Sequence, residues 1–274
     1  MKKIDLAAFP TPYFVVDEAR LRHNLAILKG VCDRTGCKIL LAQKAFSMFA
    51  AYPIIREYLA GTTASGLFEA RLGHEQCGGE THVFSPAYRE EEFVQLLQYA
   101  DDFVFNSPNQ LRKYGKRAKE AGKLVGLRVN PECSTQEGHA IYDPCAPGSR
   151  LGTTLANFDE SLLPLLDGLH FHTLCEQNSD DLETTARAFE EKFGKYLHGL
   201  KWVNFGGGHH ITRPDYDIER LVRTIEHFRD TYGVQVYLEP GEAVVYHAGF
   251  LVASVLETLH NGMDIAILDT SAAC

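Results

Sequence analysis

Eight short apolar runs, separated by amphipathic stretches, set the fold options for this sequence. They fall at 38–43, 62–64, 81–85, 102–106, 124–130, 168–173, 202–205 and 235–239. The stretches between them, such as 90–99, 109–121, 180–197 and 216–232, carry apolar residues at helical spacing with charges in between. Strict alternation of strand and helix demands right-handed crossovers and a parallel sheet. Eight such units match a (β/α)8 barrel, which takes about 250 residues. An open doubly wound sheet would carry a Gly-rich turn after its first strand. Here the first run ends in Gln43-Lys44-Ala45-Phe46, and the Gly-rich turn follows the seventh. The long connection 131–154, with Pro, Gly and Cys, is of a length usually reserved for functional or flexible loops. Past Gly241 the rhythm changes: 244–246, 250–258 and 265–268 read as strands with short connections, the start of an antiparallel β region. The expected organisation is therefore a barrel over 10–241 and a partial, truncated C-terminal β-domain over 242–274 together with 1–9.

Composition narrows the function classes. The 274 residues include 27 Lys+Arg against 36 Asp+Glu, a net charge of −9. Binding nucleic acid needs clustered basic residues to neutralise phosphates, and this balance argues against it. A cationic small molecule fits the sign better. The seven cysteines (Cys32, Cys37, Cys77, Cys133, Cys145, Cys175 and Cys274) are irregularly spaced and contain no CxxC pair. That pattern argues against a disulfide scaffold and against a structural zinc site. No apolar run follows Lys2-Lys3, and the longest, 248–256, is too short to span a bilayer. A reducing, cytoplasmic location without membrane contact is the expectation.

A barrel of this kind does its chemistry where strands end and loops begin. The eight runs end near Lys44, Ser65, Ser85, Asn106, Asn130, His172, Gly206 and Glu239. Lys44 follows Leu40 and Ala42 at period two, which aims it at the barrel mouth, either as an exposed strand-end lysine or as an imine-forming amine. Gly206, Gly207 and Gly208 can converge their N–H groups on an anionic phosphate, although a tight turn would need only one of them. Glu239 can hold a pyridinium proton or pair with a neighbouring cation. His170 and His172 flank Phe171, so both imidazoles face inward and can bind a metal, stack on a ring or simply be hydrogen-bonded. His209 and His210, adjacent in a loop, read as surface residues. Cys175 reads as an inert thiol.

Together these residues resemble the pyridoxal-phosphate decarboxylases of the alanine racemase-like fold, which act on ornithine, diaminopimelate or arginine. The resemblance spans essentially the whole chain. It rests on Leu41-Ala42-Gln43-Lys44-Ala45-Phe46, on Ser65 and Glu69 in Ala-Ser-Gly-Leu-Phe-Glu, and on Gly168-Leu169-His170-Phe171-His172, with Gly206 to Gly208 and Glu239-Pro240-Gly241 completing the set. Departures from the common strings point to a subgroup. His172-Thr173-Leu174-Cys175-Glu176, Glu239-Pro240-Gly241-Glu242 and Leu268-Asp269-Thr270-Ser271-Ala272-Ala273-Cys274 are similar to the carboxynorspermidine/carboxyspermidine decarboxylase branch of polyamine biosynthesis. The resemblance implies pyridoxal 5'-phosphate as cofactor, with Lys44 and His172 catalytic and Ser65, Gly206, Gly207, Gly208, Glu239 and Gly241 at the cofactor. Glu242 stands where relatives carry arginine, and a carboxylate there suits a substrate with several protonated amines. The resemblance also implies a homodimer with shared active sites, whose reprotonating cysteine comes from a later part of the β-domain; Cys274 does not match that motif. Two rivals remain on the residues alone: a cofactor-binding relative without turnover, and a metal-dependent barrel hydrolase using His170, His172, His209 and His210.

Overall fold

The structure, a computed structural model, describes residues 9–137 and 143–271, so expectations for residues 1–8 and Cys274 lie outside the described residues. Strand β1 (Tyr13–Val16) is followed by β2 (Lys38–Ala42), β3 (Gly61–Ala64), β4 (Glu80–Phe84), β5 (Asp102–Phe105), β6 (Leu124–Arg128), β7 (Gly168–His170), β8 (Trp202–Asn204) and β9 (Gln235–Leu238). Strands β2 to β9 form a closed parallel barrel, one strand for each apolar run. Closure pairs Lys38 with Tyr237 and Ile39 with Leu238. The helices around it are α1 (Glu18–Thr35), α2 (Tyr52–Ile55), α3 (Leu67–Leu72), α4 (Glu90–Leu96), α5 (Pro108–Gln110), α6 (Lys116–Glu120), α7 (Ser179–Phe193), α8 (Ile218–Tyr232) and α9 (Glu242–Val245). None among the described residues is long and apolar enough to cross a membrane.

Local chemistry sets the boundaries. Asp17 starts α1 by accepting from the N–H groups of Ala19 and Arg20 at 2.9 and 3.2 Å, and Gly36 stops it at φ +72°. Asp217 and Gly233 do the same for α8. Asn178 caps α7, and its side chain also bonds the backbone of Asp215 and Asp217, locking the starts of α7 and α8 together at the rim.

Outside the barrel, β10 (Gly249–Val252) pairs antiparallel with β1, and β11 (Val255–His260) with β12 (Asp264–Leu268). The antiparallel region is present, with 265–268 falling in β12. The run read as one strand at 250–258 is divided between β10 and β11, which belong to different sheets. The strand read at 244–246 is not present: its first residues belong to α9. Pro240 and Gly241 end β9, and the chain turns at once, with the Val244 N–H donating to the Gly241 carbonyl at 3.1 Å. Thr212 and Asn24 then bond the Ala243 and Val244 carbonyls, so this apolar run is buried by a turn rather than by a sheet.

Two apolar layers hold the barrel. Outward-facing residues meet the helices, as where Phe171 stacks on Phe189 at 4.4 Å and Phe205 packs on Phe228 at 5.0 Å. Inside, Leu40, Val104, Trp202 and Tyr237 form a separate small cluster. The Trp202 indole lies across β6 and β7, where a Cβ on Gly126 or Gly168 would collide with it. At the amino-terminal end Glu80 gathers Lys38, His82 (3.2 Å) and the Tyr237 hydroxyl (2.9 Å), closing the barrel floor.

Gly168→Ala drives a methyl into the Trp202 ring in the most confined part of the barrel. Its expected cost is about 1–3 kcal/mol, the usual range for overpacking. Urea unfolding followed by the fluorescence of Trp202, the single tryptophan, measures it. An unchanged midpoint would show that the ring moves freely aside.

Candidate active site

At the carboxyl ends of the strands a cleft of about 220 Å³ opens, and the sequence-derived site residues Lys44, Ser65, His172, Gly207, Gly208, Glu239, Gly241 and Glu242 line it. Gly206 stands directly behind. Lys44 lies two residues past β2, in a turn closed by the Ala45 N–H on the Ala42 carbonyl at 3.1 Å, and is exposed to the cleft. Ser65 follows β3, with its N–H on Glu69 Oε2 at 2.7 Å and its residue facing the cleft.

Glu239 is the most constrained group. It is 8% exposed, its Oε1 accepts from Asn204 Nδ2 at 2.8 Å, and its Oε2 lies 3.6 Å from His170 Nε2. Burial alone would push its carboxyl up; the His170 and Asn204 contacts overrule that and hold it at about 2. The 3.6 Å gap is too long for a hydrogen bond, and neither His170 ring nitrogen has a hydrogen-bond partner among the described residues. Burial also keeps the His170 imidazole below its ordinary range, so a neutral ring faces an ionised carboxylate.

His172 Nδ1 accepts the Gly207 N–H at 2.7 Å, which fixes the tautomer with the proton on Nε2. Burial, then the charges of Arg128 and Lys44, hold it well below the ordinary histidine range. The result is a neutral, rigid imidazole plate on one wall of the cleft.

The three glycines serve packing first. A Cβ on Gly206 would lie 2.6 Å from His172 Cβ, and one on Gly207 would lie 2.5 Å from the Glu239 carbonyl; one on Gly208 would strike the Leu174 carbonyl. Gly206 and Gly208 also adopt φ +70° and +83°. Two of their N–H groups are spoken for, Gly206 by Asn204 Oδ1 at 2.8 Å and Gly207 by His172. Among the described residues the Gly208 N–H has no partner.

His209 and His210 are buried, contrary to the surface reading. The Gln177 N–H donates to the Gly208 carbonyl at 3.0 Å and the His210 N–H to the Gln177 carbonyl at 3.1 Å, which folds the glycine loop beneath segment 175–177. His209 Nε2 donates to the Gly206 carbonyl at 3.0 Å, and burial lowers its titration to about 4. Cys175 faces the cleft, and burial raises its thiol. His170 and His172 do not gather a third metal-ligating side chain among the described residues; the one group that does is Glu176, His210 and Glu242. Sequence reasoning missed Asn204, although its period-two spacing from Trp202 places it inward. It also missed Arg128, a buried cation 4.6 Å from the Phe84 ring centre.

Ionised Glu239 is favoured by folding, so its stabilisation is complete above the ordinary carboxylate range and is lost as pH falls through about 2. Asn204→Leu removes a donor to a charge, worth about 1.5–3 kcal/mol. The variant should be less stable by that amount at pH 7, and the deficit should shrink as pH falls toward 2. Urea unfolding across this range checks it, and a deficit independent of pH would contradict the assignment.

No family model matches the sequence. Among curated proteins, the carboxynorspermidine/carboxyspermidine decarboxylase of Campylobacter jejuni is 45% identical over 262 residues, covering 96% of this chain and 68% of that protein. The carboxyaminopropylagmatine decarboxylase of Synechocystis is 36% identical over 268 residues, covering 97% and 69%. The solved Campylobacter jejuni carboxynorspermidine decarboxylase, complexed with norspermidine, superposes with a TM-score of 0.89 at 44% identity, covering 96% of this chain and 68% of that one. A more distant likeness of fold is the SrLDC mutant in complex with PLP, with a TM-score of 0.73 at 19% identity, covering 96% and 71%.

Proposed function

The chain belongs to the carboxynorspermidine/carboxyspermidine decarboxylase family, and we propose that it removes CO2 from carboxynorspermidine or carboxyspermidine to give norspermidine or spermidine, using pyridoxal 5'-phosphate held in the rim cleft. The observation that carries the reading is the convergence on one cleft of Lys44, neutral His172 and ionised Glu239. A cytoplasmic homodimer with shared active sites belongs to the same reading and rests on the family resemblance.

The residues present fit the cofactor. Glu239 offers a fixed, ionised carboxylate, which a protonated ring nitrogen requires. His172 offers a flat neutral face, and Lys44 a primary amine at the cleft wall. For the phosphate, Gly207 and Gly208 line the cleft, and the Gly208 N–H has no partner among the described residues. Ser65 and Gly241 lie on the same wall.

When bound, the pyridinium ring supplies an electron sink for the pair released as CO2 departs. The protein's part is to keep that sink charged and oriented. Asn204 holds Glu239 Oε1 at 2.8 Å, so Oε2 is left to hold the ring proton. Glu239 is a stronger acid than usual, which keeps it ionised at neutral pH. His172 cannot compete for that proton, because Gly207 occupies its Nδ1 and its Nε2 already carries one. Lys44 stands outside the buried carboxylate shell, free to exchange with a substrate amine.

Borohydride reduction of the protein loaded with pyridoxal phosphate should place a pyridoxyl group on Lys44, located by peptide mapping, and Lys44→Ala should abolish CO2 release from carboxynorspermidine. A label on another lysine would overturn the cofactor assignment. Correct labelling with no CO2 release from any carboxylated polyamine would favour the relative that binds cofactor without turnover.

A further inference from the structure

The amino-terminal end of the barrel, opposite the cleft, carries two cysteines where α1 hands over to β2. Gly36, at φ +72°, turns the chain back on the last turn of α1, and its N–H donates to the Cys32 carbonyl at 2.8 Å. A cap of this type packs the residue after the glycine against the residue four before it. Those residues are Cys37 and Cys32, and their thiols are in contact. Thr35 fixes the turn between them: its Oγ1 donates to the Val31 carbonyl at 2.8 Å and accepts the Cys37 N–H at 3.1 Å. The pair is asymmetric. Cys37 is 5% exposed, whereas Cys32 is half-buried and reachable from solvent. Contact with Cys37, then Lys29 one turn earlier and the Ile39 backbone, hold the Cys32 thiol below its ordinary range against its burial. Contact with Cys32, then burial, push the Cys37 thiol up. Burial likewise raises the thiols of Cys77, Cys145 and Cys175.

We propose that Cys32 and Cys37 form a redox-active dithiol that closes reversibly into a disulfide, with Cys32 as the attacking and Cys37 as the resolving thiol. The oxidant class is a low-molecular-weight disulfide of the glutathione type. The Cys32 thiolate attacks one of its sulfurs, which leaves a mixed disulfide on Cys32 and releases one thiolate. Cys37 then gives up its proton and attacks the Cys32 sulfur, releasing the second. Two protein thiols lose two electrons between them, and the small disulfide becomes two thiols. The cap makes the second step intramolecular, because it holds the two side chains together across four intervening residues. Any aliphatic pair would complete the cap by apolar contact. A thiol at each position, one open to solvent and one enclosed behind it, adds what disulfide exchange requires: an accessible nucleophile and a partner that reacts only after it. The inference is independent of the cofactor and the polyamine, since the pair lies at the end of the barrel away from Lys44.

Trypsin cleaves after Arg34, so the two cysteines fall on separate peptides, 30–34 and 35–38. The reduced chain, equilibrated with oxidised glutathione, alkylated with iodoacetamide and digested, should yield these two peptides joined by a disulfide that dithiothreitol separates. Before oxidation, alkylation of Cys32 should outpace that of Cys37 roughly tenfold or more. Cys37→Ser should stop the exchange at the mixed disulfide, leaving glutathione on Cys32, and Cys32→Ser should leave Cys37 unmodified. The wild-type peptide map decides the matter even where a variant unfolds. Cys32 and Cys37 that both emerge alkylated after oxidation overturn the proposal, as does a disulfide joining either of them to another cysteine.

Discussion

Every feature of the rim depends on the closure of the sheet between β2 and β9. Closure leaves no edge strand in the barrel and brings residues distant in sequence, such as Lys44 and Glu239, to one mouth. It is sustained from inside by a single large ring. Trp202 reaches across β6 and β7, and both strands carry glycine where it crosses. The floor is polar: Glu80 collects Lys38, His82 and Tyr237 and is held at about 2. The buried Asp102 carboxyl, in register with His82, has no hydrogen-bond partner among the described residues, and burial pushes it up to about 7. The cleft opens at the carboxyl end, above this filled middle and floor.

The barrel was legible in the sequence because eight runs buried on both faces carry an unambiguous apolar signal, and the structure turns each into a strand. Elements outside the barrel were harder to read. The run at 244–246 has the β-branched composition of a strand, but Pro240-Gly241 turns the chain before a sheet partner can be reached. Strand β1 went unread for the complementary reason: it pairs with β10, more than 230 positions later, and only tertiary contact makes it a strand. At the site, Lys44, His172 and Glu239 were visible as strand-end residues of the right chemistry. His209 and His210 were misread, because their burial is imposed by hydrogen bonds from Gln177, for which the local sequence holds no sign.

The glycine loop shows how one motif can satisfy several constraints. Read alone, three glycines suggest a phosphate cradle. In place, the first two amides are committed to Asn204 and His172, and each missing Cβ makes room for a neighbouring backbone or ring. The same commitments orient both groups that would hold the cofactor ring, since Asn204 grips Glu239 and Gly207 fixes the His172 tautomer. A substitution here would disturb the ring-holding residues before it disturbed any phosphate contact.

The distribution of charge follows from this arrangement. Arg128 is buried beneath the site, lowered by that burial to about 10 and therefore still cationic at neutral pH. Its Nη2 donates to the His172 carbonyl at 3.3 Å and its guanidinium lies over Phe84. With Lys44 above and Arg128 below, protonating His170 or His172 would add a third positive charge in a region already poor in water, and both rings stay neutral as a consequence. Glu239 is then the one formal charge of opposite sign among them, and its ionised state is favoured by the same fields that keep the imidazoles uncharged. A site built this way admits one new positive charge at low cost beside Glu239, which is where a ring nitrogen must hold a proton to withdraw electrons.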